Sequence, residues 1–331
     1  MKPIPTVCLA AAVFWTALGV LAAQAAGGRK PPAEQKIYVS AQAAAAEAPK
    51  KPTPAPSACA DEAVTVTVSV DGTDRQLPLQ EYLTGVLLAE LPGSFAPEAV
   101  KAQAVASRTY VLRAREHPKH GSAAVCTDSA CCQAWVDPGT VPADQRDWAE
   151  AAVLATDGLV LRSGGSLIEA TFFSCSGGRT EAARAVWGRD LPYLQAVDSP
   201  GEEEATHFLD ETRLPLAEFC AVLRQADPEV DFSGGMGSWA NGITYTPGGG
   251  VDQILLGGRP FTGKQLRGLF SLRSTAFTLE LTATEAVFTT RGYGHRVGMS
   301  QWGAQAMAEQ GRDFRQILTH YYQGVSVERY C

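Results

Sequence analysis

Two helical patterns in close succession constrain this chain more than any other feature. Apolar residues in Leu79–Glu90 recur at positions i, i+3, i+4 and i+7, the spacing of one face of an amphipathic helix. Pro92 stops that helix, and Pro97 opens a second one because proline is favoured in a first helical turn. The second pattern continues to about Arg115. The sequence therefore predicts two consecutive helices, with a carboxylate, Glu90, at the end of the first.

The rest of the folded part mixes strand and helix patterns. Val64–Val70 alternates strictly, a hairpin pattern follows Gly158, and strand pattern returns at 276–290. Ser300 is a predicted N-cap, and Asp313 with Gln316 resembles a capping box. Residues 200–275 are rich in glycine and proline, with one helical stretch near 214–225, and are expected to form a less regular lobe. Because strands and helices do not alternate regularly, we predict a mixed α+β fold.

The N-terminus predicts export. Lys2 precedes an apolar run from Ile4 to Ala26. Ala23-Gln24-Ala25 fits a signal-peptide cleavage site, whereas the length of the run fits a membrane anchor, which we favour. Proline and alanine dominate 31–60, which is expected to be an extended linker. The predicted organisation is a signal peptide or anchor at 1–30, the linker at 31–60 and an extracytoplasmic domain at 61–331.

The charge balance narrows the class of partner. The chain has 28 basic and 35 acidic residues, a net charge of −7, and no long basic run. Nucleic-acid binding needs clustered Lys and Arg, so no nucleic-acid partner is expected. A long anionic polymer is also an unexpected ligand unless the charge is locally reversed.

Glu90 is the first candidate for chemistry. At a helix C-terminus its carboxylate faces the negative end of the helix dipole, and Leu88, Ala89 and Leu91 would desolvate it. Both effects favour the protonated form that a general acid needs near neutral pH. The alternative is an exposed glutamate at a frayed helix end.

The second helix carries a polar stripe. Gln103, Ser107 and Tyr110 share one face, and Lys101 and Arg108 lie on an adjoining face. Such a stripe beside an acid suits a sugar-binding groove, which needs hydrogen-bonding groups and an aromatic platform. The alternative is a helix face that is simply solvated.

The cysteines divide into a cluster and isolated residues. His120, Cys126 and Cys132 are spaced H-x5-C-x5-C, and imidazole with thiolates is a tetrahedral zinc set. Cys131 is the nearest candidate for a fourth ligand, followed by His117. A disulfide from Cys126 to Cys131 or Cys132 is the competing interpretation. A further disulfide could join Cys59 to Cys331, whereas Cys175 and Cys220 are expected to be ordinary buried cysteines.

Four stretches resemble the SpoIID/LytB family, the stage II sporulation protein D group, in order along the chain. They are EYLTGVLLAELPGSFAPEAVKAQAVASRTYVLR from Glu81, IEATFFSCSGGRTE at 168–181, VWGRDLPYLQAVDSP at 186–200 and GYGHRVGMSQWGAQAMAEQG at 292–311. The resemblance covers roughly 61–331 and implies one domain with a substrate groove. It implies a peptidoglycan lytic transglycosylase that acts in engulfment during sporulation, with Glu90 as the catalytic acid. The alternative that it offers is a glycan-binding enhancer of a cell-wall amidase.

The resemblance also implies a structural zinc at the His–Cys motif and a preference for glycan strands already stripped of peptide. Its implied partners are a cell-wall amidase and other membrane proteins of engulfment. The chain departs from the family where Phe172 or Phe173 stands for Tyr, where Trp135 replaces Tyr, and where Arg296 replaces a small residue. The predicted substrate-binding residues are Lys101, Gln103, Arg108, Tyr110, Trp135, Phe172, Ser176, His295, Ser300 and Gln301.

Overall fold

The computed structural model of the protein describes residues 60–331. Helices and strands are interspersed, which confirms the α+β class. The helices are α1 (Leu79–Glu90), α2 (Pro97–Glu116), α3 (Ala143–Ala155), α4 (Ala183–Trp187), α5 (Leu216–Ala226), α6 (Gly263–Leu269), α7 (Gln301–Glu309) and α8 (Phe314–Tyr321). The strands are β1 (Thr65–Val70), β2 (Thr73–Pro78), β3 (Val125–Cys126), β4 (Leu159–Ser163), β5 (Ser166–Leu167), β6 (Phe172–Phe173), β7 (Leu209–Pro215), β8 (Ala240–Tyr245), β9 (Val251–Leu256), β10 (Arg259–Thr262), β11 (Phe277–Leu281), β12 (Glu285–Arg291), β13 (Met299–Ser300) and β14 (Ser326–Arg329).

The described residues form two lobes with separate apolar cores. The main lobe comprises 60–208 and 292–331, and its core is built largely from α1, α2, α7 and α8 with the inner faces of short sheets. The second lobe comprises 209–291 and has its own core, in which Phe219, Phe270 and Phe288 are in mutual ring contact. Large aromatic side chains bury the apolar area that a lobe of this size needs.

The predicted pair of helices lies in the main lobe. α1 and α2 have the bounds that the sequence indicated, to within one residue, and Pro97 occupies the first turn of α2. α2 is buried along most of its length because it packs against α3, α7, α8 and β4. A helix surrounded in this way does not keep a solvated face, and this decides the place of several polar side chains.

The sheets are small, and one of them brings distant parts of the chain together. β1 pairs antiparallel with β2 and parallel with β3, and β14 pairs with β4. β13 pairs parallel with β6, with Met299 opposite Phe172. This two-residue ladder holds the glycine-rich segment at 292–298 against the segment that follows β5.

The second lobe is more regular than its glycine and proline content indicated. It contains the sheets β10-β9-β8 and β11-β12-β7 together with α5 and α6, and it extends to Arg291. Thr262 and Gln265 form a capping box at the start of α6. The pattern at 276–290 is a hairpin of two strands, β11 and β12, because Thr282 and Glu285 turn the chain between them.

One other expectation was wrong, and one helix was missed. The strand expected after the hairpin turn is broken into β5 and β6, because a tight turn from Glu169 to Thr171 redirects the chain. α3 was not predicted.

Within the described residues no helix is both long and apolar enough to cross a bilayer. The predicted signal peptide or anchor at 1–30, and all of the linker except Ala60, lie outside the described residues.

Candidate active site

A cavity of about 940 Å³ opens beside the C-terminal end of α1. Its walls come from α1, α2, the loops at 129–134, 169–174 and 187–189, the glycine-rich segment, the start of α7, and Arg267 of the second lobe. The cavity brings together five of the predicted catalytic and substrate-binding residues, which are Glu90, Tyr110, Phe172, His295 and Gln301. The volume is in the range of sites that hold small ligands or short stretches of polymer.

Glu90 is half-buried in this cavity, held by one backbone and one side-chain donor. The backbone N–H of Ala134 donates to Oε1 at 2.7 Å, and Nε2 of Gln301 donates to Oε2 at 3.3 Å. Burial raises the pKa of the Glu90 carboxyl above its usual value, and the two hydrogen bonds oppose part of that rise. Glu90 is therefore a carboxyl group with increased proton affinity that faces an open cavity.

The segment that supplies Ala134 reaches Glu90 because α1 contains a glycine. A Cβ atom at Gly85 would clash with the Trp135 side chain and with the carbonyl oxygen of Val136. The Val136 N–H donates to the Gly85 carbonyl oxygen at 3.3 Å. The glycine thus lets an extended segment lie directly on the helix, one turn before the acid.

Gln301 is placed by the capping of α7. The Ser300 hydroxyl accepts from the Gly303 N–H at 3.2 Å, which makes Ser300 the N-cap that the sequence predicted. Gln301 is the next residue, and its side chain turns into the cavity towards Glu90. A local capping signal therefore fixes the direction of a side chain that meets a residue from a distant helix.

His295 lines the cavity as a neutral imidazole. Its Nδ1 accepts from the Val297 N–H at 3.1 Å, and its ring contacts Phe173 and Trp187. Burial, with the positive charge of Arg267, lowers the pKa of His295 to about 4. The side chain that the sequence offered as a glycan contact is thus uncharged at neutral pH and can orient ligands by hydrogen bonding and ring contact.

The cavity also contains residues that the sequence reasoning did not single out. Arg189 donates to Glu169 at 2.7 Å and lies over the Trp187 ring, 5.7 Å from the centroid. Trp187 and Arg189 belong to the VWGRD stretch and Glu169 to the IEATFF stretch, so the family resemblance is the sequence signal that could have identified them. Lys119 lies over the Tyr110 ring at 5.9 Å. An aromatic wall bordered by charged groups suits a polyhydroxylated ligand.

Three predicted substrate contacts on α2 lie elsewhere. Arg108 is fully buried in an ion pair with Asp61 at 2.5 Å, and it also donates to the carbonyl oxygens of Val153 and Leu159. Gln103 is buried and donates to Ser107 at 3.1 Å. Lys101 pairs with Glu98 at 2.6 Å, away from the cavity lining. Of the predicted contacts on α2, only Tyr110 lines the cavity, because the main lobe encloses most of the helix.

Three other predicted substrate-binding residues, Trp135, Ser176 and Ser300, also lie outside the cavity lining. Trp135 packs on Gly85, with Arg75 5.7 Å from its ring centroid, and it does not line the cavity. Ser176 is fully buried and donates to Glu202 at 2.9 Å. The Ser300 side chain is occupied as a helix cap. None of these three side chains lines the cavity.

Arg296 is directed away from the cavity. It is almost fully buried, pairs with Glu181 at 3.4 Å and donates to the carbonyl oxygen of Gly248 in the second lobe at 2.7 Å. Its φ of +64° lies in the left-handed region. The residue that interrupts the family pattern thus joins the two lobes.

His120, Cys126, Cys131 and Cys132 form a compact cluster on one edge of the cavity. Their ligand atoms all lie within 4.8 Å of one another, with His120 Nε2 3.3 Å from Cys132 Sγ. A tetrahedral zinc with bonds of about 2.0–2.3 Å separates its ligand atoms by roughly 3.5–3.8 Å. The pKa of the Cys131 thiol is raised to about 11 by burial and by the adjacent Cys126 and Cys132 thiols. Thiols crowded in this way fit a cation, so the cluster could hold a metal ion.

The structure places Cys131 with the other three residues and leaves His117 out of the cluster. Cys126, Cys131 and Cys132 are free thiols, which does not support the competing disulfide. Cys175 and Cys220 are buried and free, as expected. Cys331 is disulfide-bonded, and its predicted partner Cys59 lies outside the described residues.

Comparisons with known proteins find similarity to stage II sporulation proteins and to an amidase enhancer. A family model described as stage II sporulation protein matches residues 72–162. Stage II sporulation protein D of Bacillus amyloliquefaciens is 35% identical over 263 residues, covering 76% of this chain and 74% of that protein. The protein of the same name from Bacillus subtilis is 34% identical over 286 residues, 80% of each chain. An amidase enhancer of Bacillus subtilis is 28% identical over 300 residues, covering 75% of this chain and 40% of that protein.

Proposed function

The chain belongs to the stage II sporulation protein D family, and from that premise we propose that it is a peptidoglycan lytic transglycosylase acting in engulfment during sporulation. The observation that carries the proposal is the Glu90 carboxyl, half-buried, raised in pKa and facing a cavity with an aromatic wall. A protonated carboxyl beside a platform for sugar rings is what cleavage of a glycosidic bond requires.

The proposed reaction uses Glu90 twice. The protonated carboxyl donates to the oxygen that links N-acetylmuramic acid to N-acetylglucosamine while an oxocarbenium-like centre develops. The carboxylate then takes the proton of the muramic 6-hydroxyl, whose oxygen attacks the anomeric carbon and forms a 1,6-anhydro end. The carboxyl group that gives up a proton in the first step takes one back in the second, so no other acid or base is needed. The Ala134 N–H and Gln301 hold its two oxygens, so the group keeps its orientation in both protonation states.

Hydrolysis by a second carboxylate is the enzymatic alternative. Asp128 and Asp137, two carboxylates that follow Glu90 within fifty residues, do not line the cavity, because each caps a local turn. Glu169 does line it, but it is engaged by Arg189 at 2.7 Å and lies 3.9 Å from Arg113. A carboxylate whose oxygens are engaged by guanidinium groups is not free to activate a water, which favours transglycosylation over hydrolysis.

We further propose that His120, Cys126, Cys131 and Cys132 hold a structural zinc. A bound zinc would supply a rigid crosslink between the residues that precede and follow the loop at 121–131. Ala134 follows this cluster by two residues, and its N–H holds Glu90. The four ligand residues would thereby fix the segment whose Ala134 N–H orients Glu90.

The second candidate function is that of a glycan-binding enhancer of a cell-wall amidase. It is favoured by the similarity to a protein named amidase enhancer. In both proposals the N-terminal segment anchors the domain outside the cytoplasm through the linker at 31–60. The proposed partners are a cell-wall amidase and other membrane proteins of engulfment.

One assay separates the two functions. Purified protein is incubated with purified glycan strands from which the peptides have been removed, and the products are analysed by mass spectrometry. New 1,6-anhydro ends are expected from a lytic transglycosylase. Reducing ends would indicate a hydrolase, and unaltered strands would leave the enhancer as the better description.

A further inference from the structure

The residues that line the cavity carry a positive net charge, whereas the chain as a whole is acidic. Three cations line it, Lys119, Arg189 and Arg267, against two carboxyl groups, Glu90 and Glu169. Glu169 is balanced by Arg189, and Glu90 has a raised pKa. Lys119 and Arg267 are left as uncompensated positive charges in a protein whose net charge is −7. A local field of this sign attracts an anionic ligand.

Arg267 is the cation of the cavity that is half-buried and yet has no ion-pair partner among the described residues. It lies on α6 of the second lobe, is half-buried, and donates through Nε to the Leu272 carbonyl oxygen at 3.3 Å. None of the ion pairs found among residues 60–331 includes it. Burial lowers the pKa of its guanidinium, whereas Arg189 and Arg273 each pair with a carboxylate that raises theirs. A buried cation without a counter-ion gains more than an exposed one when an anion binds.

Arg267 also joins two concave surfaces. With Tyr293 it lines both the cavity of Glu90 and a neighbouring groove of about 430 Å³ that contains Lys264 and Arg273. A polymer that passes Glu90 and continues over the second lobe therefore meets Arg267 at the boundary. The guanidinium group can bind a carboxylate through two parallel N–H···O bonds.

We propose that Arg267 binds the free lactyl carboxylate of a muramic acid residue and thereby selects glycan strands stripped of peptide. The inference rests on the proposed glycan substrate. When an amidase removes the stem peptide, the lactyl group changes from a neutral amide to a carboxylate. The stripped strand then carries one negative charge per disaccharide, at a position where the peptide-bearing strand has none. Arg267 recognises that charge.

The test measures binding without cleavage. Full-length Glu90→Gln protein is the parent, and Arg267→Gln is introduced into it. The matched control is Arg224→Gln, which removes an arginine charge from α5 of the same lobe outside both cavities. The ligands, of equal length, are stripped glycan, stripped glycan whose lactyl carboxylates have been converted to methylamides, and chitooligosaccharide, which lacks the lactyl group.

The parent is expected to prefer the carboxylate ligand over the other two. Arg267→Gln should weaken binding of that ligand roughly ten- to a hundredfold and leave the other affinities unchanged, since one charged hydrogen-bonded pair is lost. Arg224→Gln should retain the preference. An unchanged preference in Arg267→Gln, or an equal loss for all three ligands with an unchanged melting temperature, would overturn the inference. Failure of the wild-type protein to cleave glycan would refute the transglycosylase alone, because the binding preference is measured independently.

Discussion

The Gln301 side-chain amide lies 3.3 Å from the Glu90 carboxylate, across 211 residues of sequence. The contact joins the end of α1 to the first residue of α7, and it forms because β13 pairs with β6 and Ser300 caps α7. A donor at this distance stabilises the ionised carboxylate and opposes the effect of burial. Gln301 is therefore placed to set the proton affinity of the proposed acid.

Replacing Gln301 by Met tests that relationship. Loss of the donor should raise the pKa of Glu90 further, because burial would then act with less opposition. Cleavage requires protonated Glu90, so the alkaline limb of the pH profile of kcat/KM should move to higher pH. Gln305→Met, on the same helix but outside the cavity, is the control. A profile that stays in place would remove Gln301 from this role.

Glu90→Gln is expected to abolish strand cleavage while the fold and glycan binding persist. The amide keeps the shape of the side chain but cannot move a proton, and acid–base help is typically worth about 10²–10⁴-fold. The measurement is release of 1,6-anhydro ends, with circular dichroism as the check of folding. Asp137→Asn is the control carboxylate outside the cavity. Activity within threefold of the parent would exclude Glu90 from the mechanism.

Arg108→Met should act on stability. Removing one partner of a buried ion pair leaves Asp61 uncompensated, which typically costs about 3–5 kcal/mol of the free energy of unfolding. Lys101→Met removes a partly exposed partner of Glu98 and should cost no more than about 1 kcal/mol. Chemical denaturation of both variants gives the comparison. Equal stability of the two would contradict the assignment of Arg108 to the core.

The metal proposal predicts about one zinc per chain and a stabilising effect that exceeds the catalytic one. Cys132→Ser should lose the metal and lower the melting temperature, because the crosslink across 120–132 is gone. Cys220→Ser, a buried free thiol in the second lobe, should retain the metal. Elemental analysis that finds no zinc in freshly purified protein, with Cys126 oxidised in a peptide map, would establish a disulfide instead.

Intact wall should be cut poorly by this protein alone and efficiently once an amidase is added. Peptide removal takes away the bulk of the stem peptide and creates the carboxylate that Arg267 is proposed to bind. The proposed membrane anchor would raise the effective concentration of a co-anchored amidase. Formation of 1,6-anhydro ends in intact wall, with and without amidase, is the measurement. Equal rates on intact and stripped wall would instead indicate a general muralytic enzyme.

The sequence alone determined the features whose signals are local. The bounds of α1 and α2 follow from apolar spacing and two prolines, and the caps at Ser300 and Asp313 follow from side chains that bond within three residues. The His–Cys cluster was visible because its four residues span thirteen positions. The family was recognisable from four stretches because their order along the chain is itself sequence information.

The tertiary structure decided which side chains face the cavity. A helical wheel groups Arg108 with Lys101 beside the polar stripe, but it does not reveal that the segment carrying Asp61 covers this face of α2. Glu169, Trp187 and Arg267 reach the cavity from three separate regions, and nothing in their local sequence encodes that meeting. Local patterns fix backbone conformation, whereas the exposure and the charge partners of a side chain depend on elements far away in the chain. The positive cavity in an acidic protein is a product of that packing.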